Sequence, residues 1–236
     1  MRDEVVSVII PTLNEEGSIA STIRALREGV VEKDTRLDIV VADGGSVDGT
    51  KRLVKTAKAR LIQAGRGRGT QLNNAVPSAE GSFLIFLHAD TRLPFGFDKV
   101  VRSTLQDETV SLGAFRLKID SNVRGIRLIE AVANLRSRFF GMPYGDQGFF
   151  MRRTTFNQLG GFPDIPLMED FQMARNAKRL GRVITANESA VTSGRRWEEF
   201  GVFRTTVLNQ IIVAGFYLGV PAQTLNKWYR GAVARR

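Results

Sequence analysis

The sequence predicts an α/β protein: a Rossmann-like, mixed but mostly parallel sheet flanked by helices, with further helices at the C-terminus. Three observations carry that reading. β-rich apolar runs alternate with helical stretches from the start, the order that gives parallel strands joined by right-handed crossovers. Residues 83–87, Phe-Leu-Ile-Phe-Leu, form a short continuous apolar run, as in a strand buried on both faces. That run leads into His88, Ala89, Asp90 and Thr91, and a second one, residues 37–42, leads into Asp43. Polar groups just past the carboxyl ends of strands are where open α/β sheets hold ligands.

The totals describe a foldable chain with a basic bias. Of 236 residues, 43% are hydrophobic and 25% charged, enough for a full core in one large domain. A nucleotide-binding half is expected to about residue 92 and an acceptor half over about 93–200. No linker rich in Pro or Ser separates them, so they are expected to share one sheet, with a C-terminal helical region over about 200–236. The net charge of +10 favours an anionic partner: nucleotide phosphates, nucleic acid or an acidic membrane surface. Absence of cysteine excludes disulfides and thiolate metal sites. Residues 5–10 are too short and too β-branched a run for a signal peptide. Residues 207–220 are interrupted by Asn209 and Gln210 and fall short of the roughly 20 residues of a spanning helix. A cytoplasmic protein, at most peripheral to a membrane, is expected.

The elements follow in order. Residues 5–10 read as the first strand, stopped by Pro11, with Thr12 or Asn14 capping a helix that carries Glu15 and Glu16 in its first turn and runs to about Glu28. A strand over 37–42, a helix over 51–59 capped by Asp48, a short strand over 60–63 and a helical stretch over 71–75 come next. After the strand at 83–87, the chain reads as a helix over about 97–105, a strand over 110–119 and an arginine-rich helix over 126–140. Residues 145–148 read as a loop, 149–151 as a strand, 169–180 as a helix ended by Gly181, and 183–191 as a loose strand pair. Helix resumes from Trp197, broken at 219–221, and ends in a basic tail over 230–236.

Several residues could carry chemistry, each with a bland reading beside it. Asp43, before Gly44 and Gly45, can accept hydrogen bonds from a ribose or base, or simply form an Asp-Gly turn. Arg66 and Arg68, set among Gly65, Gly67 and Gly69, can pair with a diphosphate or sit in a solvated loop. The pattern lacks the ending of a P-loop. Asp90 can hold Mn2+ or Mg2+ together with substrate phosphates, since such ions commonly use one or two protein carboxylates. His88, the sole histidine, lies two positions away on the same side of an extended chain; alone, it is as readily structural. Glu169 and Asp170 open a helix, where the dipole favours carboxylates, yet they also offer a general base. Arg195, Arg196 and Trp197 can clamp a phosphate and stack on a ligand, or form a basic surface loop with an anchor.

Together these motifs resemble family 2 glycosyltransferases, which have the A-type glycosyltransferase fold. Residues 7–16 are similar to that family's opening, 43–50 to its second signature and 65–75 to its third; His88-Ala89-Asp90 stands where the family has Asp-x-Asp. Gly145-Asp146-Gln147-Gly148 resembles the acceptor-side loop, Glu169-Asp170 the pair whose aspartate is the base, and Arg196-Trp197 the end of Gln-x-x-Arg-Trp. The resemblance implies an inverting transferase that moves one sugar from a nucleotide diphosphate sugar, most often a UDP-sugar, to a hydroxyl. It implies nucleotide-sugar contacts at Pro11, Thr12, Asn14, Glu15, Asp43, Gly44, Arg66, Arg68, Gln71, His88, Ala89 and Asp90, with Mn2+ or Mg2+ at Asp90. It implies acceptor contacts at Gly145, Asp146, Gln147, Glu169, Arg196 and Trp197, and Asp170 as the catalytic base. The acceptor would be a small molecule or lipid-like, not nucleic acid.

The likeness is greatest to a short single-domain subgroup with a His-Ala-Asp motif, associated with radical-SAM gene neighbourhoods and arsenosugar synthesis. Two departures bear on it: His88 replaces the first aspartate, and Ser193 stands in place of the glutamine that marks processive synthases. Two other classes stay open on the residues alone, a nucleotidyltransferase and a non-catalytic nucleotide- or polyanion-binding protein. The apolar stretch from Phe200 to Leu218 is expected to meet either a membrane surface or a twin subunit.

Overall fold

The computed structural model describes residues 5–234. In chain order the elements are β1 (Val5–Thr12), α1 (Ile19–Glu28), β2 (Arg36–Asp43), α2 (Thr50–Thr56), β3 (Arg60–Gln63), α3 (Arg68–Ala75), β4 (Phe83–Phe86), β5 (Thr91–Arg92) and α4 (Phe97–Leu105). They continue as β6 (Val110–Asp120), α5 (Ile126–Phe140), β7 (Phe149–Arg152), α6 (Arg153–Leu159), α7 (Glu169–Leu180), β8 (Arg182–Ser193), α8 (Arg195–Phe200), α9 (Val202–Tyr217) and α10 (Ala222–Ala234). The last two residues of the basic tail lie outside the described residues.

One eight-stranded sheet runs in the order β3-β2-β1-β4-β7-β6-β8-β5, so both halves of the chain contribute to it. The β1–β2, β1–β4, β2–β3 and β6–β8 pairings are parallel, while β4–β7, β6–β7 and β5–β8 are antiparallel. The continuous apolar runs are explained by burial on both faces. In β4, Ile85 joins one core cluster with Val8, Ile10, Val41 and Phe97, while Leu84 and Phe86 join the other with Ile9, Val40 and Phe149.

The sheet is curled, and the chain length requires it. Four residues, Leu87 to Asp90, link β4 to β5, although β5 stands four places along the sheet. A flat sheet would put about 19 Å between those strands, more than the roughly 17 Å that five residue steps reach. Curling brings the ends together, and the Thr91 hydroxyl donates to Thr192 Oγ1 at 2.9 Å across the closure.

Several boundaries differ from expectation. Pro11 lies inside β1, which runs to Thr12 beside Asp43. What Pro11 ends is the ladder to β4: Leu87 N–H donates to Ile9 O, and the next bond on that side would need a donor that proline lacks. Neither Thr12 nor Asn14 caps a helix; α1 starts at Ile19, because the backbone amides of Glu15 and Glu16 donate to Thr50 Oγ1 and Asp48 Oδ2 across the sheet end. The loose strand pair is a single strand, β8, interrupted by a bulge. There the register against β6 jumps from Ala114↔Thr185 to Arg116↔Ser189. Residues 145–147 form a single 3-10 turn, Arg195 already opens α8, and α6 and the two-residue β5 were not foreseen.

Beyond Ala114, β6 has no strand on its β7 side. Three side chains continue the ladder instead. Gln147 donates to Phe115 O, Asn134 both accepts from and donates to the Leu117 backbone, and Glu130 accepts from Ile119 N–H. An unpaired buried strand edge is costly, and α5 covers it with polar groups.

Candidate active site

The carboxyl ends of β1, β2 and β4 meet at one end of the sheet, and two loops are laced together there. The Asn14 amide N–H donates to Ser46 Oγ at 2.9 Å, Val47 N–H donates to Asn14 Oδ1 at 3.0 Å, and Gly49 N–H donates to Glu16 Oε2 at 2.7 Å. Asn14 takes a left-handed conformation (φ 57°), one that asparagine tolerates better than most residues. Asp43 Oδ2 accepts from Gly45 and Ser46 N–H at 2.9 and 3.0 Å, while its Oδ1 is covered and has no partner. Gln71 stands behind this end and donates to both Thr12 O and Ala42 O, tying β1 to β2. Its amide nitrogen is thereby committed to backbone, which leaves a positioning task rather than the expected donor contact through that group.

A cleft of about 390 Å³ opens beside these strand ends. Arg68, His88, Asp90, Tyr144, Asp146, Glu169, Asp170, Arg195, Arg196 and Trp197 line it. Of the residues expected at the site, Arg68, His88, Asp90, Asp146, Glu169, Asp170, Arg196 and Trp197 thus converge, though they come from β4's end, α3, the 145–147 turn, α7 and α8. Arg66 does not: it is exposed and does not line the cleft. Ala89 is buried, and its carbonyl accepts from Thr22 Oγ1 at 2.7 Å, which fixes the chain beside Asp90. Gln147 is a further correction. It is fully buried, its nitrogen given to Phe115 O and Ser137 Oγ and its oxygen to Tyr144 N–H, so it holds the turn and does not reach an acceptor.

Glu169 and Asp170 are presented by a backbone turn at Met168, whose φ of 70° is unusual for a residue with a side chain. Asp170 Oδ2 accepts from Gly145 N–H at 2.7 Å. Gly145 packs closely here: a Cβ would lie 3.1 Å from Asp170 Oδ2 and 3.2 Å from His88 Nε2, so either side chain would have to shift by a few tenths of an ångström. The buried Glu169 accepts from Arg68 Nη1 at 3.0 Å. Burial raises Glu169 above the ordinary carboxylate range, with Arg68 opposing and Asp170 adding. Burial pushes Asp146 up to about 6, against the pull of Arg136 and with Asp170 adding. Burial, helped by Arg68 and Arg196, holds His88 well below its usual range, so its ring is neutral at pH 7. Burial also raises Glu15, with the neighbouring Asp90 contributing, and Arg195 stands 3.9 Å from Glu15.

Four covered polar atoms without a hydrogen-bond partner belong to residues expected at the site: Asp43 Oδ1, His88 Nε2, Asp146 Oδ1 and Trp197 Nε1. A buried polar group left unpaired is costly, and its usual explanation is a ligand or water it awaits. The sequence missed the far wall. Asn209 and Ile212 of α9 and Tyr229 of α10 line the cleft, and Arg136 lies 3.4 Å over the Tyr144 ring. The signal was present in Asn209, the polar break in an apolar run. Asp90 forms no hydrogen bond or ion pair through its carboxylate among the described residues, and these hold no cluster of three metal-ligating side chains. The donor set suits a cation that takes most of its ligands from phosphates and water.

Residues 7–160 match the model of glycosyl transferase family 2. That span is well over half of the chain, and the chain belongs to this family of enzymes. The match ends before Glu169 and Asp170. A relative from Bacillus subtilis (strain 168), "Probable glycosyltransferase YdaM", is 27% identical over 225 residues, covering 82% of this chain and 50% of that protein. The chain therefore spans about half the length of that curated relative. Among solved structures, Staphylococcus aureus TarS 1–349 in complex with UDP superposes with a TM-score of 0.65 at 20% identity, covering 80% of this chain and 60% of that one. The mannosyltransferase PcManGT from Pyrobaculum calidifontis, in complex with GDP-Man and Mn2+, gives 0.62 at 22% identity, covering 97% and 74%. At these identities the likeness is one of fold: the chain has the A-type glycosyltransferase architecture.

Proposed function

We propose that the chain transfers a single sugar from a nucleotide diphosphate sugar, a UDP-sugar by preference, to a hydroxyl of a small-molecule or lipid-like acceptor, with inversion. The observation that carries this is Asp170 Oδ2, fixed at 2.7 Å by Gly145 N–H in the same cleft as Asp90, His88 and three arginines. Of the classes open on the residues alone, the family match favours sugar transfer over nucleotidyl transfer and over polyanion binding. The relatives' complexes with UDP and with GDP-Man and Mn2+ support a nucleotide sugar and a divalent ion as ligands.

In this reading the base and ribose lie along Pro11, Thr12, Asn14, Glu15 and Gly44, with Asp43 Oδ1 accepting from the nucleotide. Arg68, Arg195 and Arg196 neutralise charge at the diphosphate, where bidentate guanidinium groups are effective. Asp90 would hold Mn2+ or Mg2+. A divalent ion there supplies further charge neutralisation on the departing diphosphate. The neutral His88 offers a nitrogen to ribose or phosphate. Asp170 removes the acceptor's hydroxyl proton as its oxygen attacks the anomeric carbon from the face opposite the leaving group. The new glycosidic bond forms while the bond from that carbon to the diphosphate oxygen breaks. Asp146, Trp197 and the α9–α10 wall position the acceptor. The single-sugar, non-processive reading and the short His-Ala-Asp subgroup belong to the same proposal, as does a cytoplasmic location. So does a membrane or twin-subunit contact by the outer face of α9, where Phe203, Val207 and Ile211 are exposed. No helix of the described residues is long and apolar enough to cross a membrane.

Replacing Asp170 with Asn tests the base. Transfer is expected to fall by roughly 10² to 10⁴, with nucleotide binding retained; unchanged transfer would sink the assignment. A thermal-shift panel of nucleotide sugars with and without Mn2+ identifies the donor, since a ligand bound only by the folded state raises its stability.

A further inference from the structure

Helix α5 is amphipathic in the wrong sense for a helix facing only water. Its inward face carries Glu130, Asn134 and Ser137, which bond to β6, β8 and Gln147. Leu128, Val132, Leu135 and Phe139 fall at i, i+4, i+7 and i+11 on one stripe pointing out, and are 67%, 55%, 57% and 71% exposed. The unpaired edge of β6 takes Glu130 and Asn134, and Ile126, Ile129 and Ala133 pack beside them against Leu117, Ile119 and Trp197. The outer stripe is thereby left without a partner among the described residues. Beside the stripe a groove of about 230 Å³ is lined by Leu135, Phe139, Arg116 and Arg138 and contains no carboxylate.

We infer that this face of α5 docks the protein on an anionic bilayer surface. Leucine, valine and phenylalanine enter the acyl boundary, and Arg116 and Arg138 meet lipid phosphates, the pairing that interfacial helices use. Charge complementarity favours this occupant over a second copy. A two-fold contact through the same patch sets like against like, and the groove offers no carboxylate to pair with its arginines. Phe139 is the single aromatic lining the groove, short of the successive aromatics on which nucleic-acid grooves stack bases. The inference stands independently of the transferase reading. If both hold, α5 leads directly into the cleft wall, because Arg136 donates to Met142 O and stacks on Tyr144. An acceptor drawn from the lipid surface would then have a short path.

The test is co-sedimentation of the full chain with vesicles of phosphatidylcholine, with and without phosphatidylglycerol. Binding is expected only to the anionic vesicles and should weaken as salt is raised. The double variant L135S/F139S is expected to lose roughly tenfold or more in binding, and R116Q/R138Q to lose most of the salt dependence. All four side chains project from the surface, and circular dichroism verifies the fold of each variant. F203S, on the outer face of α9, should bind lipid as the parent does, because this inference gives the lipid contact to α5 and leaves the α9 face to a twin subunit. The inference is overturned if anionic vesicles do not bind, if L135S/F139S binds unchanged, or if F203S alone abolishes binding. It is equally overturned if sedimentation equilibrium without lipid shows a dimer that L135S/F139S dissociates.

Discussion

The two sides of the cleft keep their polar groups in place by different means. Along the ends of β1 and β2, Asp43, Asp48 and Asn14 are held by neighbouring backbone amides, and Gln71 spans two carbonyls. On the opposite wall, Asp146, Glu169 and Asp170 crowd together, offset by Arg68, Arg136 and Arg196. The first side is a hydrogen-bonded frame. The second is a charge balance, in which removing one partner alters the others.

Substitutions on each side should separate the two principles. The largest loss is expected from Arg68→Gln, which leaves the buried Glu169 without its partner. The loss should be about 2 kcal/mol, below the roughly 3–5 kcal/mol of a fully buried pair because Arg68 is 43% exposed. Denaturant titration should show that loss growing from pH 5 to pH 8 as Glu169 ionises, and Glu169→Gln in the same chain should restore most of it. On the frame side, Gln71→Ala removes a donor from the buried Ala42 carbonyl and should cost roughly 1–2 kcal/mol. The same titration should find that cost constant between pH 5 and pH 8; a marked slope would break the distinction.

Asp146→Asn should act with the reversed sign. The folded protein raises Asp146 from 3.8 to about 6. Its stabilising contribution is therefore complete below about pH 4 and is lost as pH rises toward 6. Asn should gain up to about 3 kcal/mol at pH 7 and little at pH 4, read as a higher melting temperature at neutral pH only.

The strand ends of the frame side could be read in the sequence, although their lacing, Asn14 to Val47 and Gln71 to Thr12, could not. Each of Thr12, Asp43 and Asp90 follows its own apolar run, and the chain order of runs fixes a parallel sheet. The charge-balanced side was named but not assembled. Nothing in the spacing says that Gly145 N–H meets Asp170, twenty-five positions on, or that Asn209 and Tyr229 close the far wall. Gln147 shows the limit most clearly. Its motif marks an acceptor loop, but its amide completes an open strand edge that exists only once β6 outruns β7. Residues 183–191 read as a strand pair for a related reason, since only the partner strand β6 shows the interruption to be a bulge within one strand.

The pairing of β5 with β8 has a mechanical meaning. Asp90 O accepts from Ser193 N–H, and Thr91 is bonded to Thr192, so the strand end carrying Asp90 is fastened to the segment that runs into Arg195 and Arg196. The two walls cannot part like jaws without tearing that seam.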